Sequence, residues 1–414
     1  MSFSLSSSRM GLAFGFAFAL LFAPRLSASE PPAGATAAAK TEKTESAASP
    51  KTPESDAFFR AVNAPTDEPF GGVRRHYMWS NERRHDVFFE DVRGRGGGYL
   101  GVGGDQNYTI AAAAGSTVIW LVDIDREVIR LHKLYSALLK HAETPDQFIA
   151  LFDRRATLQV EAALGSLDAG LRKSLLILYT QYRADLLAHL RDEISQKHTW
   201  LGDGAKYAYL RKMAQSGLIV PRLGDLNGPT TLLQISEAAK QAHVVVRVVY
   251  LSNAESWFGY GDRFRRNVSA LPFDEQTSVV RTIKSNVLPY VRGDVWHYTL
   301  QKGPHFVARL AEKPYSSIDQ VMLDAEETKE KGFSHVGFSP EKVPAPGQQG
   351  QDEKAAARMR QAERLRRQKL LADGIVTRPA GNRECAAEFE QDRKEKAEKD
   401  LKALEKRLQT PAPK

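Results

Sequence analysis

Cysteine is almost absent from this chain. The 414 residues hold one, Cys385, so no internal disulfide can form and metal sites built on thiolates are excluded. Ten histidines are left as metal ligands, but none are paired at metal-binding spacing in a helix that the pattern predicts, so no metal is expected. Long hydrophobic runs are also lacking. The apolar stretch from Gly11 to Ala23 has 13 residues, and no other stretch approaches the ~20 needed to span a bilayer. Charge of one sign is not concentrated either. Net charge is +8, and residues 341–414 carry 18 Lys and Arg against 13 Asp and Glu, so most of the excess lies in a mixed-sign tail. Such a tail reads as solvated helix, and no nucleic-acid partner is expected. A further absence is the third glycine of the dinucleotide fingerprint G-x-G-x-x-G, whose place is taken by Gln106.

What is present divides the chain into four parts. Arg9, the short apolar run, and Ser27-Ala28-Ser29 make residues 1–29 read as a cleaved export signal; a retained anchor is the alternative. The mature protein is then periplasmic or secreted, with no transmembrane segment after signal removal. Residues 30–56 are Ala, Pro, Thr, Ser, Lys and Glu, too poor in apolar surface to order themselves, and read as a disordered linker. Residues 57–335 form the globular domain, and with 42% of the whole chain hydrophobic they can bury a full core. Residues 336–414 form a charged tail, partly helical or disordered, in which Leu401, Leu404 and Leu408 are too few to make a coiled coil.

Within the domain, Tyr99 to Asp125 reads Y-L-G-V-G-G-D-Q-N-Y-T-I-A-A-A-A-G-S-T-V-I-W-L-V-D-I-D: strand, glycine turn, helix, and a second strand ending in acids. That is the first half of a nucleotide-binding βαβ unit. Gly101, Gly103 and Gly104 let the backbone approach a ligand closely, and the next helix points its N-terminal amides there. An acid about 20 residues on binds ribose hydroxyls in such folds. Of Asp123 and Asp125 we favour Asp123, which ends the apolar run. A tight turn without a ligand would give the same glycines. Helical spacing then runs through Glu127–Lys140, Pro145–Leu164, Asp168–Gln196 and Ala205–Ser216, a helical insertion at about 126–217 between the second and third strands. Further strands are expected at Leu218–Leu223, Val244–Leu251, Thr277–Ile283 and Trp296–Leu300, with helices at Thr231–Ala242 and near Trp257–Leu271, and a helix within Arg74–Val92 before the first strand. The fold class is therefore α/β, a doubly wound, mostly parallel sheet with ligands at the carboxyl ends of its strands.

Six blocks occur in order: S-N-E (Ser80–Glu82), Y-L-G-V-G-G-D-Q-N-Y (Tyr99–Tyr108), V-D-I (Val122–Ile124), L-H-K-L-Y (Leu131–Tyr135), G-D-L (Gly224–Leu226) and Y-L-S-N-A-E (Tyr250–Glu255). Together they resemble an uncharacterised bacterial family with a class I S-adenosylmethionine methyltransferase-like Rossmann domain. The resemblance covers about residues 75–300 and implies S-adenosylmethionine as cofactor. It places Gly101, Gly103 and Gly104 against the methionyl part, Asp123 on the ribose and Asp225 near the adenine. Asn253 takes the position of a substrate-orienting catalytic residue. The block departs from the methyltransferase pattern in carrying Tyr99 and Leu100 where an acid usually stands.

Two readings of function follow, an exported enzyme that binds S-adenosylmethionine, or a non-catalytic envelope binding or scaffold protein that keeps the Rossmann fold as architecture and meets an envelope protein partner through its tail. An enzyme acting on another nucleotide or sugar nucleotide is a third. Individual side chains carry paired readings as well. Gln106 and Asn107 donate to a ligand carboxylate, or Asn107 caps the next helix. His132 and Tyr135 line the site, or pack their helix on the sheet with hydrogen-bonded tips. Asp225 and Asn253 bind ligand, or merely end strands. Arg74-Arg75 and Arg265-Arg266 are solvated surface, or bind phosphate.

Overall fold

The computed structural model describes residues 53–68, 73, 76–283, 288, 291, 294 and 296–338. The segment read as an export signal, Arg74, Arg75, Cys385 and the charged tail from residue 339 lie outside the described residues. Eight strands are described: β1 (Gly98–Gly101), β2 (Val118–Asp123), β3 (Ile219–Leu223), β4 (Val246–Tyr250), β5 (Ser278–Ile283), β6 (His297–Lys302), β7 (Ala325–Glu327) and β8 (Phe333–Val336). They form one sheet in the order β3-β2-β1-β4-β5-β6-β8-β7. The first five are parallel. β6 runs antiparallel to β5, β8 parallel to β6, and β7 antiparallel to β8. The chain winds outward from β1 to β3, then returns to β4 and β5 on the other side, so β1 and β4 flank the switch point where such folds hold ligands.

Alternation along each strand decides which layer it meets. Tyr99, Ile119, Leu121 and Val248 enter one apolar cluster, while Leu100, Trp120, Val122 and Val249 enter the cluster on the opposite face. Both faces are covered, as a mostly parallel sheet requires. Pro221 in β3 is tolerated because that strand is an edge of the sheet and needs no ladder donor on its outer side.

Twelve α-helices are described. In chain order they are α1 (Pro53–Asn63), α2 (Phe89–Val92), α3 (Gln106–Ala114), α4 (Arg126–His141), α5 (Pro145–Ala150), α6 (Thr157–Ala163), α7 (Ala169–Ser195), α8 (Gly204–Gln215), α9 (Thr231–Gln241), α10 (Asp262–Ala270), α11 (Gly303–Leu310) and α12 (Ile318–Leu323). The insertion between β2 and β3 is thus α4 to α8, as its periodicity predicts. Three of its helices, α4, α7 and α8, start on aspartate caps: Asp125 accepts from the Glu127 amide, Asp168 from those of Gly170 and Leu171, and Asp203 from those of Ala205 and Lys206. None of the described helices is long and apolar enough to cross a membrane.

Four expectations need revision. The helix expected within Arg74–Val92 is confined to its end: among the described residues, 76–84 carry no helix, and only a 3-10 turn (His85–Phe88) and the single turn of α2 follow. Backbone amides there are committed elsewhere, Glu82 to the Ser80 hydroxyl at 3.0 Å, Arg83 and Arg84 to the Tyr298 hydroxyl at 3.1 and 3.0 Å. The segment Pro145–Leu164 is broken into α5 and α6 by a 3-10 turn at Arg154–Ala156, which Asp153 caps. The helix near Trp257–Leu271 begins only at Asp262. Finally, α1 starts at Pro53, inside the segment read as linker.

Candidate functional site

The glycine turn after β1 is held by its own neighbours. Gly103 sits at φ +86°, a conformation that favours glycine. Asn107, fully buried, donates to the carbonyls of Val102 (2.9 Å) and Gly104 (2.7 Å) and accepts from the Tyr99 hydroxyl (2.7 Å). All of this carboxamide is spent on the turn, so it neither caps α3 nor offers a donor to a ligand. Tyr99 is its partner. A Cβ on Gly101 would overlap the Asn107 side-chain oxygen and approach the Tyr99 ring. Gly101→Ala is therefore expected to cost about 1–3 kcal/mol by overpacking, read as a lower urea midpoint at unchanged slope.

His132 and Asp123 brace the turn from the next βα junction. His132 Nε2 lies 2.8 Å from the Gly103 carbonyl, which can only accept, so Nε2 carries the proton and Nδ1 accepts from Tyr108 at 2.9 Å. Burial pushes this imidazole down to about 4, so it is neutral at physiological pH. Asp123 accepts from the Gly103 amide at 3.0 Å and from the Asp125 amide at 2.8 Å. Burial pushes its carboxyl up to about 6. The structure thus joins Gly103, Asp123 and His132 in one unit. Tyr135 packs against the Tyr108 ring with its hydroxyl unpartnered. Asp225 bonds the Asn227 amide in its own turn at 2.9 Å. Asn253 precedes a 3-10 turn, Ala254–Trp257, with no side-chain cap, and Arg265 clamps the carbonyls of Tyr260, Leu310, Glu312 and Tyr315 rather than facing solvent or phosphate.

A strap between α1 and the first 3-10 turn crosses the carboxyl edge of the sheet, and its described residues meet the strands in the sheet's own order. At β3, the Leu223 amide donates to Asp67 (2.8 Å) and the Glu68 amide to the Leu223 carbonyl (2.8 Å). The Glu68 carboxylate sits on the start of α9, accepting from the amides of Thr230 and Thr231, both at 2.6 Å. Burial opposes its charge, but those bonds hold it below the usual carboxylate value. Past β2, His76 Nδ1 lies 2.9 Å from both oxygens of Asp125. Past β1, the Met78 carbonyl and Trp79 Cα pass 3.1 Å from where a Cβ on Gly104 would stand. At β4 and β5, buried Glu82 accepts from the hydroxyls of Tyr250, Ser252 (2.5 Å) and Thr282 (2.7 Å), with His85 at 3.2 Å. At β6, Tyr298 takes the Arg83 and Arg84 amides.

Beside the strap opens a cleft of about 420 Å³, between Trp79–His85, the first turn of α3, and the last turns of α7. One polar face of α7 lines it, Asp185, His189, Asp192 and Glu193, continued by Gln196 just past the helix end. His189 pairs with buried Asp105 at 2.9 Å and stacks on Trp79, centroids 5.6 Å apart and planes 19° from parallel. Burial lowers the affinity of His189 for its proton, but the Asp105 carboxylate outweighs it and the net shift is upward. Burial, then the charge of Asp105, pushes Glu193 up to about 8. Of the residues expected at the site, only Gln106 lines this cleft. Glu68, His76, Glu82, Asp105, His189 and Glu193 were not expected; the spacing of 185, 189, 192, 193 and 196 on one helical face is the signal for the last two.

Among the described residues, no group of three or more His, Cys, Asp or Glu could hold a metal ion. Fold and site together define a Rossmann-like α/β protein whose sheet edge is crossed by its own strap, with a polar cleft beside the glycine turn. The chain belongs to DUF7790, a domain of unknown function, whose family model matches residues 77–337. No curated protein matches it.

Proposed function

We propose that this is a non-catalytic binding protein of the cell envelope, in which the Rossmann-like sheet serves as architecture and the cleft beside α3 is the working surface. The strap carries this reading. The groups that an S-adenosylmethionine-type nucleoside would need are already bonded within the chain: the Gly103 amide to Asp123, Asp225 to its own turn, Asn107 to the glycine turn, and Asp125 to His76. As folded, these residues fit that cofactor poorly, and no methyl-transfer step is derived from them. The apolar run Gly11–Ala23 supports export, away from the cytoplasm where that donor is made.

The positive-φ Gly103 joined to Asp123 favours a second reading, a donor-binding protein whose strap must first leave the edge. Calorimetry separates the two. The chain from residue 30 onward, titrated with S-adenosylmethionine and S-adenosylhomocysteine, is expected to give no binding heat. Stoichiometric binding of either would overturn the proposal and restore the cofactor to the site.

A further inference from the structure

We infer that the cleft takes a protonated amine, the ammonium or guanidinium end of a ligand, set between α7 and the first turn of α3. This deepens the reading of the cleft as the working surface. Five acids line it: Glu82, Asp105, Asp185, Asp192 and Glu193. Three are matched internally. Asp105 faces His189 at 2.9 Å, Asp192 faces Arg83 at 3.7 Å, and Glu82 is held by three hydroxyls and His85. Asp185 and Glu193 take no ion pair.

The second observation is Gln106. The residue is 6% exposed, it lines the cleft, and its Oε1 has no hydrogen-bond partner. A buried carbonyl oxygen can only accept, so whatever satisfies it must bring an N–H or O–H. An anion would meet the surrounding carboxylates. A neutral hydroxyl would satisfy Gln106 but bring no charge to Asp185, which takes no ion pair, and would leave Glu193 its proton. An ammonium or guanidinium satisfies Gln106 and brings that charge.

Proton linkage follows. Glu193 faces Asp105, Asp192, His189 and Arg83, with Glu82, His85, Asp185 and His198 also on the walls. With its carboxyl up at about 8, a bound cation expels its proton, so affinity rises with pH toward 8. His189 sheds its proton as pH rises and frees Asp105, which acts in the same direction.

The test is calorimetry of the chain from residue 30 with agmatine, in buffers of different ionisation enthalpy, with tetramethylammonium and glycerol as controls. Agmatine should bind with proton release, tightening up to about fiftyfold from pH 6 to pH 8, since the ionised fraction of a carboxyl at about 8 rises from roughly one in a hundred to one half. Glu193→Gln, on the partly exposed face of α7, should cut the proton release to the part that His189 supplies and weaken binding about tenfold at pH 8. Gln106→Leu should weaken agmatine and leave tetramethylammonium unchanged. No agmatine heat at millimolar concentration overturns the inference, as does equal binding of tetramethylammonium or glycerol. Binding of S-adenosylmethionine by a chain that also binds agmatine would fail the wider reading alone.

Discussion

Replacing Glu255 by alanine is expected to lower the unfolding free energy by about 3–5 kcal/mol, a large share of the ~5–15 kcal/mol typical of a domain. The reason is its partner. Arg281 in β5 is fully buried, with its Nε 2.5 Å from Glu255 Oε2, its Nη1 2.8 Å from Gln301, and its guanidinium 4.7 Å above the Phe306 ring. Tyr260 donates to the other Glu255 oxygen at 2.6 Å. One guanidinium nitrogen, Nη2, already lacks a hydrogen-bond partner. Removing the carboxylate strands a desolvated cation against apolar rings, a far greater cost than losing one ion pair at the surface. The pair itself adds little, because desolvating both charges offsets their attraction. Glu255→Leu combined with Arg281→Met should therefore recover most of the loss in urea denaturation followed by tryptophan fluorescence. A double variant as weak as the single one would show that the polar network, including Tyr260 and Gln301, holds this corner rather than the charge balance.

Much of the sheet was legible because its signals are local. β1, β2, β4 and β5 are apolar runs with nearby turn residues, and α4 carries Val128, Leu131, Leu134, Tyr135 and Leu138 on one buried face behind its Asp125 cap. β7 and β8 escaped notice because A-E-E and F-S-H-V are short and carry too little alternation, and they exist only as additions to the sheet, β8 on β6 and β7 on β8. The strap was misread for the opposite reason. R-H-D-V-F-F has local helical character, but its conformation upstream is set by partners far along the chain: Glu82 meets Ser252 and Thr282 from 170 and 200 residues away. At the site, Gly103 and Asp123 were legible as a pair at the expected separation. Their bond to one another was not, nor was the use of Asn107 within the turn. A carboxamide after a glycine block looks the same in sequence whether it faces a ligand or its own backbone. Asp105 and His189 stand 84 residues apart, and no local pattern links them.

Glu82→Ala is expected to cost about 2–4 kcal/mol, because the hydroxyls of Tyr250, Ser252 and Thr282 and the His85 imidazole lose their common acceptor in a buried setting. Glu82→Gln keeps the volume and one carbonyl acceptor, so it should lose less. The distribution of the loss matters more than its size. The strap touches the strand ends one after another, whereas the strand ladders do not depend on it, so the damage should appear first as local opening. Hydrogen exchange should then quicken at the Arg83 and Arg84 amides, which Tyr298 holds, and stay slow at the core amides of β1 and β4. Uniformly faster exchange would instead make Glu82 part of the global folding unit. The same variant bears on function. A strap that opens uncovers the edge at Gly104, where Met78 and Trp79 now pass, and frees the way to Asp123. If S-adenosylmethionine gives no heat with either chain, the sheet edge is architecture in both. If heat appears only in Glu82→Ala, the strap is the barrier, and the protein is a donor-binding protein held shut by its own N-terminal segment.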